Sequence, residues 1–514
     1  MASKKVAIVG GGCSGLAAFW ALKDSGHEVH IFESGSRFGG TTRLVHLLPY
    51  LESCLRSLLG RPANLYALLQ ELQIPCHDTE FSVASSQLGD LFEWGTASPF
   101  AILSRNLFRL DMWRLLIDVA RFNHFALDSF RGGHLFKRQR SRKRKNAQQP
   151  YQHEQPQKSI GAYLAAEGYS NSFRDNYIIP LIAVLWNVHN ARDALELPIA
   201  LLLRFMANCD ILRSSLWWSE WKIVTGGKAA FAAAITNLSA TERVHFNTTI
   251  KSVKTSDRPG WLAVQGEEGL TEYFNHVIIA MSAHDALNLI SADATDEEVR
   301  ALSGFQKTRA VAILHSDTTL MPKRKRVWAA FNHITKFSQR NPPDTSQFCT
   351  SFHMNRLQGL SEEIFGPVLI THNPISPPHP IRVQGIWEYS RFTFNNRALK
   401  SHKLLQRIQN TRGISYCGPW TGYGRYEDAV RSAFQVAVDH LGAELLFGVL
   451  GDDPFRPCPD AREWSQVEVL TKRERLARFL VRFLLVIYWF LGIVRRVVLY
   501  FHRAWERRDK RRRE

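Results

Sequence analysis

Lys5–Glu33 reads KVAIVGGGCSGLAAFWALKDSGHEVHIFE, and the order of residue types in it decides the fold. Lys5–Val9 is a short apolar run, as a buried parallel strand requires. Gly10-x-Gly12-x-x-Gly15 follows, and then a stretch of helical spacing with Gly26 as its stop. Glu28–Phe32 is a second strand, and it ends on Glu33, 18 residues after Gly15. Strand, glycine turn, helix, strand and acid in that order predict a dinucleotide site. Gly10 permits the tight turn, Gly12 lets the backbone approach a pyrophosphate, and Gly15 allows helix and strand to pack closely. The helix N-terminus, with Cys13 and Ser14, faces the phosphates, and the Glu33 carboxylate accepts from ribose hydroxyls. Cys13 serves as the small residue that such a turn needs, not as a redox centre.

The next residues narrow the cofactor. A carboxylate at Glu33 disfavours a 2′-phosphate, which leaves NAD and FAD. Ile31–Gly40 (IFESGSRFGG) adds Ser34, Arg37 and the pair Gly39-Gly40, followed by Thr41. A plain NAD fold has no use for these residues. Here the chain turns back along the cofactor, so it needs positions without side chains and a cation to brace phosphate or loop. This ExxxRxGG arrangement after a glycine turn resembles the flavin-containing amine oxidase superfamily, and the resemblance implies FAD, with its adenosine half at this end. Glu220–Ile235 (EWKIVTGGKAAFAAAI) resembles the family's Trp…Gly-Gly re-entry into the FAD domain. By the same resemblance Val253, in VHFNTTIKSV, contacts adenine through its backbone. Ile414–Leu441 (ISYCGPWTGYGRYEDAVRSAFQVAVDHL) is similar to the closing motif. There a strand ends at Gly418, Glu427 and Asp428 cap a helix, and amides around Ala429 and Val430 face the flavin ring and stabilise its reduced anion. The GPW…YG…ED form is similar to a branch of fungal and bacterial NAD/FAD-binding oxidoreductases, over about residues 5–450.

One stretch departs from the pattern. Thr41–Ala63 (TTRLVHLLPYLESCLRSLLGRPA) contains no Asp and no Asp-x-Gly turn, and it reads as a basic, Leu-rich helix. A local frame or splicing error in the gene model and genuine divergence both account for this. It puts flavin affinity in question at this place alone.

These readings predict an α/β protein. A Rossmann-like FAD-binding domain is assembled from residues 1–100, 221–295 and 405–450. A discontinuous α+β substrate domain comprises a helical lid at 101–220 and a sheet at 296–404, and a membrane-seeking tail occupies 470–514. The chain has 514 residues and is 45% apolar, which is enough for two packed lobes. Much of the +18 net charge is local: Lys137–Lys145 holds seven basic residues in nine positions and reads as a solvated loop. No zinc-finger, RNA-binding or helix-turn-helix pattern accompanies it, so no nucleic-acid partner is expected. The seven cysteines include no CxxC pair, and no secretory signal precedes the first strand. Both point to a reducing, intracellular compartment. No metal-ligand spacing is present.

The tail is distinctive. Phe483–Val494 is 12 uninterrupted apolar residues, about 18 Å of helix and short of the ~20 residues of a span. Extending the run to Phe501 buries Arg495 and Arg496, at ~2.5–3.5 kcal/mol each near mid-bilayer. A helix lying in the interface on the cytosolic face avoids that cost. Tyr488 and Trp489 then sit at the headgroups, and Arg503–Arg513 attract anionic lipid. A tail-anchored span and a soluble packed helix are the alternatives.

Flavin chemistry leaves catalytic side chains unidentified here, because the cofactor takes the hydride and the protein supplies orientation and a dry pocket. Trp420, Tyr423 and Tyr426 beside the closing motif, and Trp387 and Tyr389 in GIWEYSRF, are candidates to flank a substrate. His124, His189 and His315 read as packing or surface histidines. The expected function is hydride removal from a lipophilic C–H substrate, by desaturation or isomerisation. Amine oxidation releasing H2O2 is the alternative within the superfamily. A membrane-associated protein that keeps the fold without the cofactor is the alternative of another class. Oligomeric state is left open.

Overall fold

A computed structural model of the protein describes residues 3–39, 54–56, 64–88, 92–98, 106, 108–128, 158–208, 211–212, 221–237, 243–269, 271–336, 347–449 and 472–513. Strands β1 (Lys5–Val9), β2 (Glu28–Phe32), β3 (Val244–His245), β4 (His276–Ile279) and β5 (Ile414–Tyr416) form a parallel sheet in the order β5-β4-β1-β2-β3. The central β1 is apolar on both faces because both faces are covered: Val6, Ala7 and Ile8 are fully buried. Around this sheet and the lobe beside it lie α1 (Cys13–Ala21), α2 (Asn64–Glu71), α3 (Leu110–Phe125), α4 (Tyr426–Leu441) and α5 (Lys472–Arg513). Helix α1 ends sooner than its glycine stop: Ala21 is its last residue, and Gly26 takes a left-handed conformation (φ +72°).

α1 and α4 share one face of the sheet, with Trp20 packed on Phe434 at 5.8 Å. The other face carries a three-stranded antiparallel sheet of Ile250–Thr255, Leu262–Gly266 and Thr271–Phe274. Phe32 meets Phe274 edge-on there at 5.8 Å.

A second, seven-stranded sheet runs in the order Val383–Thr393, Gln306–His315, Leu369–His372, Phe348–His353, Phe331–Lys336, Val83–Leu88 and Glu93–Gly95. It is antiparallel except where Phe331–Lys336 lies parallel to Val83–Leu88. Directly paired residues share a face. One row across the whole sheet is therefore Trp387, Ala312, His372, Thr350, His333, Ser85 and Trp94. Val184, in the helix Ile179–Trp186, packs on this face with Ala312, Phe331, Phe352 and Ile370. The rest of the helical lobe has its own core, including Phe122, Phe173, Ile182 and Leu203.

Two sequence expectations change here. The helical lid expected over 101–220 opens with the helix Leu110–Phe125, which is shorter than the lid segment around it. Within Thr41–Ala63, Cys54–Arg56 is not helical: it is a strand antiparallel to Trp221–Val224, whose other edge pairs with Cys76–Thr79, and this partner supplies the pairing that local propensity cannot. The rest of that segment, Gly40 and Thr41, and the basic loop Lys137–Pro150 lie outside the described residues.

Candidate functional site

The carboxyl ends of the parallel strands converge on the glycine turn. Gly10 adopts φ +108°, and a side chain there would meet the Ala280 carbonyl, which follows β4, at 2.8 Å. A Cβ on Gly15 would lie 1.8 Å from the Gly10 carbonyl, so α1 docks on β1 at a distance that only glycine allows. Gly12 differs, since among the described residues a Cβ there meets nothing within 4 Å. The same turn is thus closed toward the protein at Gly10 and Gly15 and open outward at Gly12. Gly12 is also the N-cap of α1, and among the described residues no side chain caps that helix, so its first amides point to the open side. Cys13 is half-buried and Ser14 buried.

Glu33 ties the turn to the next loop. Its Oε2 accepts from the Gly11 N–H at 3.0 Å, and its Oε1 accepts from the Gly35 N–H at 2.8 Å and the Ser34 hydroxyl at 3.3 Å. Its backbone exchanges hydrogen bonds with His245 and Thr248 at 2.9 and 3.0 Å, which holds the loop after β3 against it. The Gly39 N–H donates to the Gly11 carbonyl at 3.2 Å, so the returning chain crosses back over the turn. Arg37 is exposed at this edge. Val253 is fully buried and paired with Val264, three residues beyond Ile250, the first residue of its strand.

The closing motif arrives from the other side of β4. The Cys417 N–H donates to the Ile279 carbonyl at 3.2 Å, and the Gly418 N–H donates to Ser432 Oγ in α4 at 3.0 Å. A Gly418 Cβ would strike the Trp420 indole nitrogen at 2.5 Å. The buried Asp428 accepts from the Arg425 N–H at 3.0 Å and so caps its own helix. Glu427 turns away from α4: its carboxylate accepts from the N–H of Asn64 at 2.9 Å and of Leu65 at 2.8 Å, capping α2. The Ala429 N–H is engaged with the Arg425 carbonyl at 3.1 Å, so the amides of α4 not used inside the helix precede it. Val430 is fully buried.

The aromatic candidates separate into four places. Trp420 is 2% exposed, donates to the Met281 carbonyl at 2.8 Å and packs edge-on to Phe305. Tyr423 meets Phe205 of the helical lobe, with 5.3 Å between centroids, and Tyr426 packs at the base of α1 and α4. Trp387 and Tyr389 share the inner face of the seven-stranded sheet, where the Tyr389 hydroxyl bonds His372 Nδ1 at 2.7 Å. Arg391 continues that face, two residues further along. Its Nε donates to His189 Nε2 at 3.1 Å, so His189 serves this face rather than filling space. The alternation that groups Trp387 with Tyr389 is the signal that would have identified Arg391. His124 pairs with Glu474, and buried His315 bonds Thr371. Among the described residues no group of His, Cys, Asp and Glu is placed to hold a metal ion.

The residues fit a flavin dinucleotide: an outward-open turn, uncapped helical amides, an acid at the second strand and a second helix terminus at the adjoining strand end. The model of the flavin containing amine oxidoreductase family matches residues 13–441. The fold is similar to that of a conjugated-linoleic-acid-producing fatty acid isomerase from P. acnes (13% identity, TM-score 0.54), covering 85% of this chain and 98% of that one. It is similar to putrescine oxidase with bound putrescine (15% identity, TM-score 0.53), again over 85% and 98%. A putative protoporphyrinogen oxidase from Exiguobacterium matches at 14% identity and TM-score 0.53, over 86% of this chain and 99% of the other. No curated protein is significantly similar to the chain in sequence. With its family match spanning most of its length, the chain belongs to the flavin-containing amine oxidoreductases and is a flavin-dependent oxidoreductase whose cofactor is FAD.

Proposed function

We propose that the protein removes hydride from a C–H bond of a lipophilic substrate, desaturating or isomerising it, while its C-terminal helix rests on the cytosolic face of a membrane. The observation that carries this reading is the state of α5. Arg478 is held by Asp128, just past α3, at 2.6 Å, and Glu474 by His124 in the last turn of α3. Yet Phe479, Leu480, Phe483, Leu484, Val486, Ile487, Trp489 and Phe490 are 39–64% exposed. An apolar surface of that size on a docked helix calls for a non-aqueous neighbour. The stretch Arg473–Val494 is also long and apolar enough to cross a bilayer.

FAD supplies the hydride acceptor and, through oxygen, a route back to its oxidised form. The chain supplies orientation and exclusion of water: Trp387 and Tyr389 offer flat apolar surface, and Val184 closes the sheet face behind them. The charged side chain next along this face is a cation, Arg391, which opposes an ammonium substrate. Amine oxidation remains the competing reading, favoured by the aromatic pair.

Anaerobic mixing of the holoenzyme, on anionic vesicles, with unsaturated fatty acids and separately with alkyl and aryl amines decides between them. Loss of oxidised-flavin absorbance with the lipids, or conversion of the lipid without net bleaching, supports the proposal. Bleaching by amines alone overturns it.

A further inference from the structure

Strand Val383–Thr393 places Trp387, Tyr389 and Arg391 on one face by its two-residue period. The Arg391 side chain is 9% exposed. Among the described residues its Nη2 has no hydrogen-bond partner, and the carboxylate oxygen beside it, Asp193 Oδ2, is 3.6 Å away. Removing a guanidinium from water is costly unless its donors are satisfied, and here one arm of the fork is left open. His189, which takes the Nε bond, is held neutral by burial and by the guanidinium itself, its pKa pushed down to about 3. It therefore acts as an acceptor and adds no second charge.

The place of this group in the fold matters as much as its valence. A Cβ on Gly424 would lie 2.7 Å from Phe392 Cζ, and Phe394 meets Trp186, whose indole N–H donates to the Tyr423 carbonyl at 3.0 Å. The Arg391 end of the strand thus abuts the loop that leads into α4, the helix placed for the flavin. Tyr389 and Trp387 extend from there toward the middle of this edge strand, with Tyr389 bonded to His372. Charge therefore sits at one end of the row and aromatic surface runs behind it, as an amphiphilic ligand requires. A planar guanidinium fork matches a carboxylate.

We propose that Arg391 anchors the carboxylate of a lipophilic acid substrate, whose apolar body lies over Tyr389 and Trp387. This rests on the lipophilic-substrate reading above. It makes Arg391 a specificity-determining residue, and Asp193 the group that pairs with it when no acid is bound.

Binding is read in the oxidised holoenzyme by perturbation of the flavin spectrum, independently of turnover, with an unsaturated C18 fatty acid and its methyl ester as probes. The wild type binds the acid roughly ten- to a hundred-fold more tightly than the ester. Arg391→Gln abolishes that preference while leaving ester affinity and FAD content unchanged, Arg391→Lys restores part of it, and Asp193→Asn strengthens it. Equal affinity of the wild type for acid and ester overturns the proposal, whether or not the variants fold. So does an unchanged acid preference in Arg391→Gln. Preference for the acid without any bleaching or conversion would keep the anchor and remove the oxidation reading, so the two failures are distinguishable.

Discussion

The carboxylate of Glu427, in the first turn of α4, accepts hydrogen bonds from the backbone N–H of Asn64 at 2.9 Å and its side-chain amide at 2.6 Å. Together with the Leu65 N–H at 2.8 Å, these close the start of α2. An acid that the motif suggests for its own helix instead locks a helix 363 residues away in sequence. Glu427→Ala leaves three donors without their acceptor and is expected to cost about 1–3 kcal/mol. Glu427→Gln keeps one acceptor and should cost less. Denaturant melts of the three proteins check this order, and equal midpoints would refute it.

Gly12 and Gly15 should fail differently. Gly12→Val projects into open space and should give a folded, colourless protein with a near-normal melting temperature for the apo form. Gly15→Ala sets a methyl 1.8 Å from the Gly10 carbonyl and should lower stability even without cofactor. FAD content and melting of stripped protein, measured on both variants, separate the two effects. Loss of apo stability in Gly12→Val would sink the assignment of that open side to the pyrophosphate.

Glu33→Gln keeps one acceptor for the Gly11 and Gly35 amides but gives up the charge that ribose hydroxyls would meet. A ten-fold or greater rise in the FAD dissociation constant is expected, from about 1.5–3 kcal/mol for a hydrogen bond to a charged group. Titration of the apoprotein with FAD measures it, and an unchanged constant would place the adenosine half elsewhere.

His333 carries an acid sensitivity. It is fully buried, neither ring nitrogen has a hydrogen-bond partner among the described residues, and burial pushes its pKa down to about 3. The folded value lies below the unfolded one of about 6.5. The unfolded chain therefore takes up a proton that the native state refuses, and stability falls as pH drops from about 6.5 toward 3, by up to ~1.4 kcal/mol per pH unit. His333→Leu should flatten that part of the stability curve. Parallel wild-type and variant curves over this range would show that the histidine does not contribute.

The apolar face of α5 should govern membrane binding. Replacing Phe483 and Trp489 by Glu removes two exposed aromatics, at 53% and 63% exposure, without touching the Arg478–Asp128 contact. Flotation with anionic vesicles should drop at least ten-fold while FAD content is kept. Equal flotation would mean that this face is not what meets lipid.

Local constraint made the nucleotide half legible in one dimension. Gly10, Gly12, Gly15 and Glu33 lie within one strand–helix–strand unit, where sterics and helix polarity act between near neighbours, and the closing motif at Gly418 and Asp428 is equally local. Alternation along GIWEYSRF likewise marks Trp387 and Tyr389 as one face. What they face was decided by tertiary structure. The row Trp387, Ala312, His372, Thr350, His333 and Ser85 comes from strands far apart in the chain, paired in a register that no local period specifies. The same holds for Cys54–Arg56, whose leucine-rich surroundings favour helix but whose pairing partner is Trp221–Val224. It holds for Glu427, whose acceptors meet donors delivered by another helix, and for Trp420, which packing buries against Phe305. Spacing alone specified the strand–glycine turn–helix–strand framework and left NAD and FAD open, and the motifs' resemblance to a family narrowed the cofactor to FAD. The contacts that position a substrate arise only when distant segments close on one another, because their energy depends on which surfaces meet and not on which residues are neighbours in sequence.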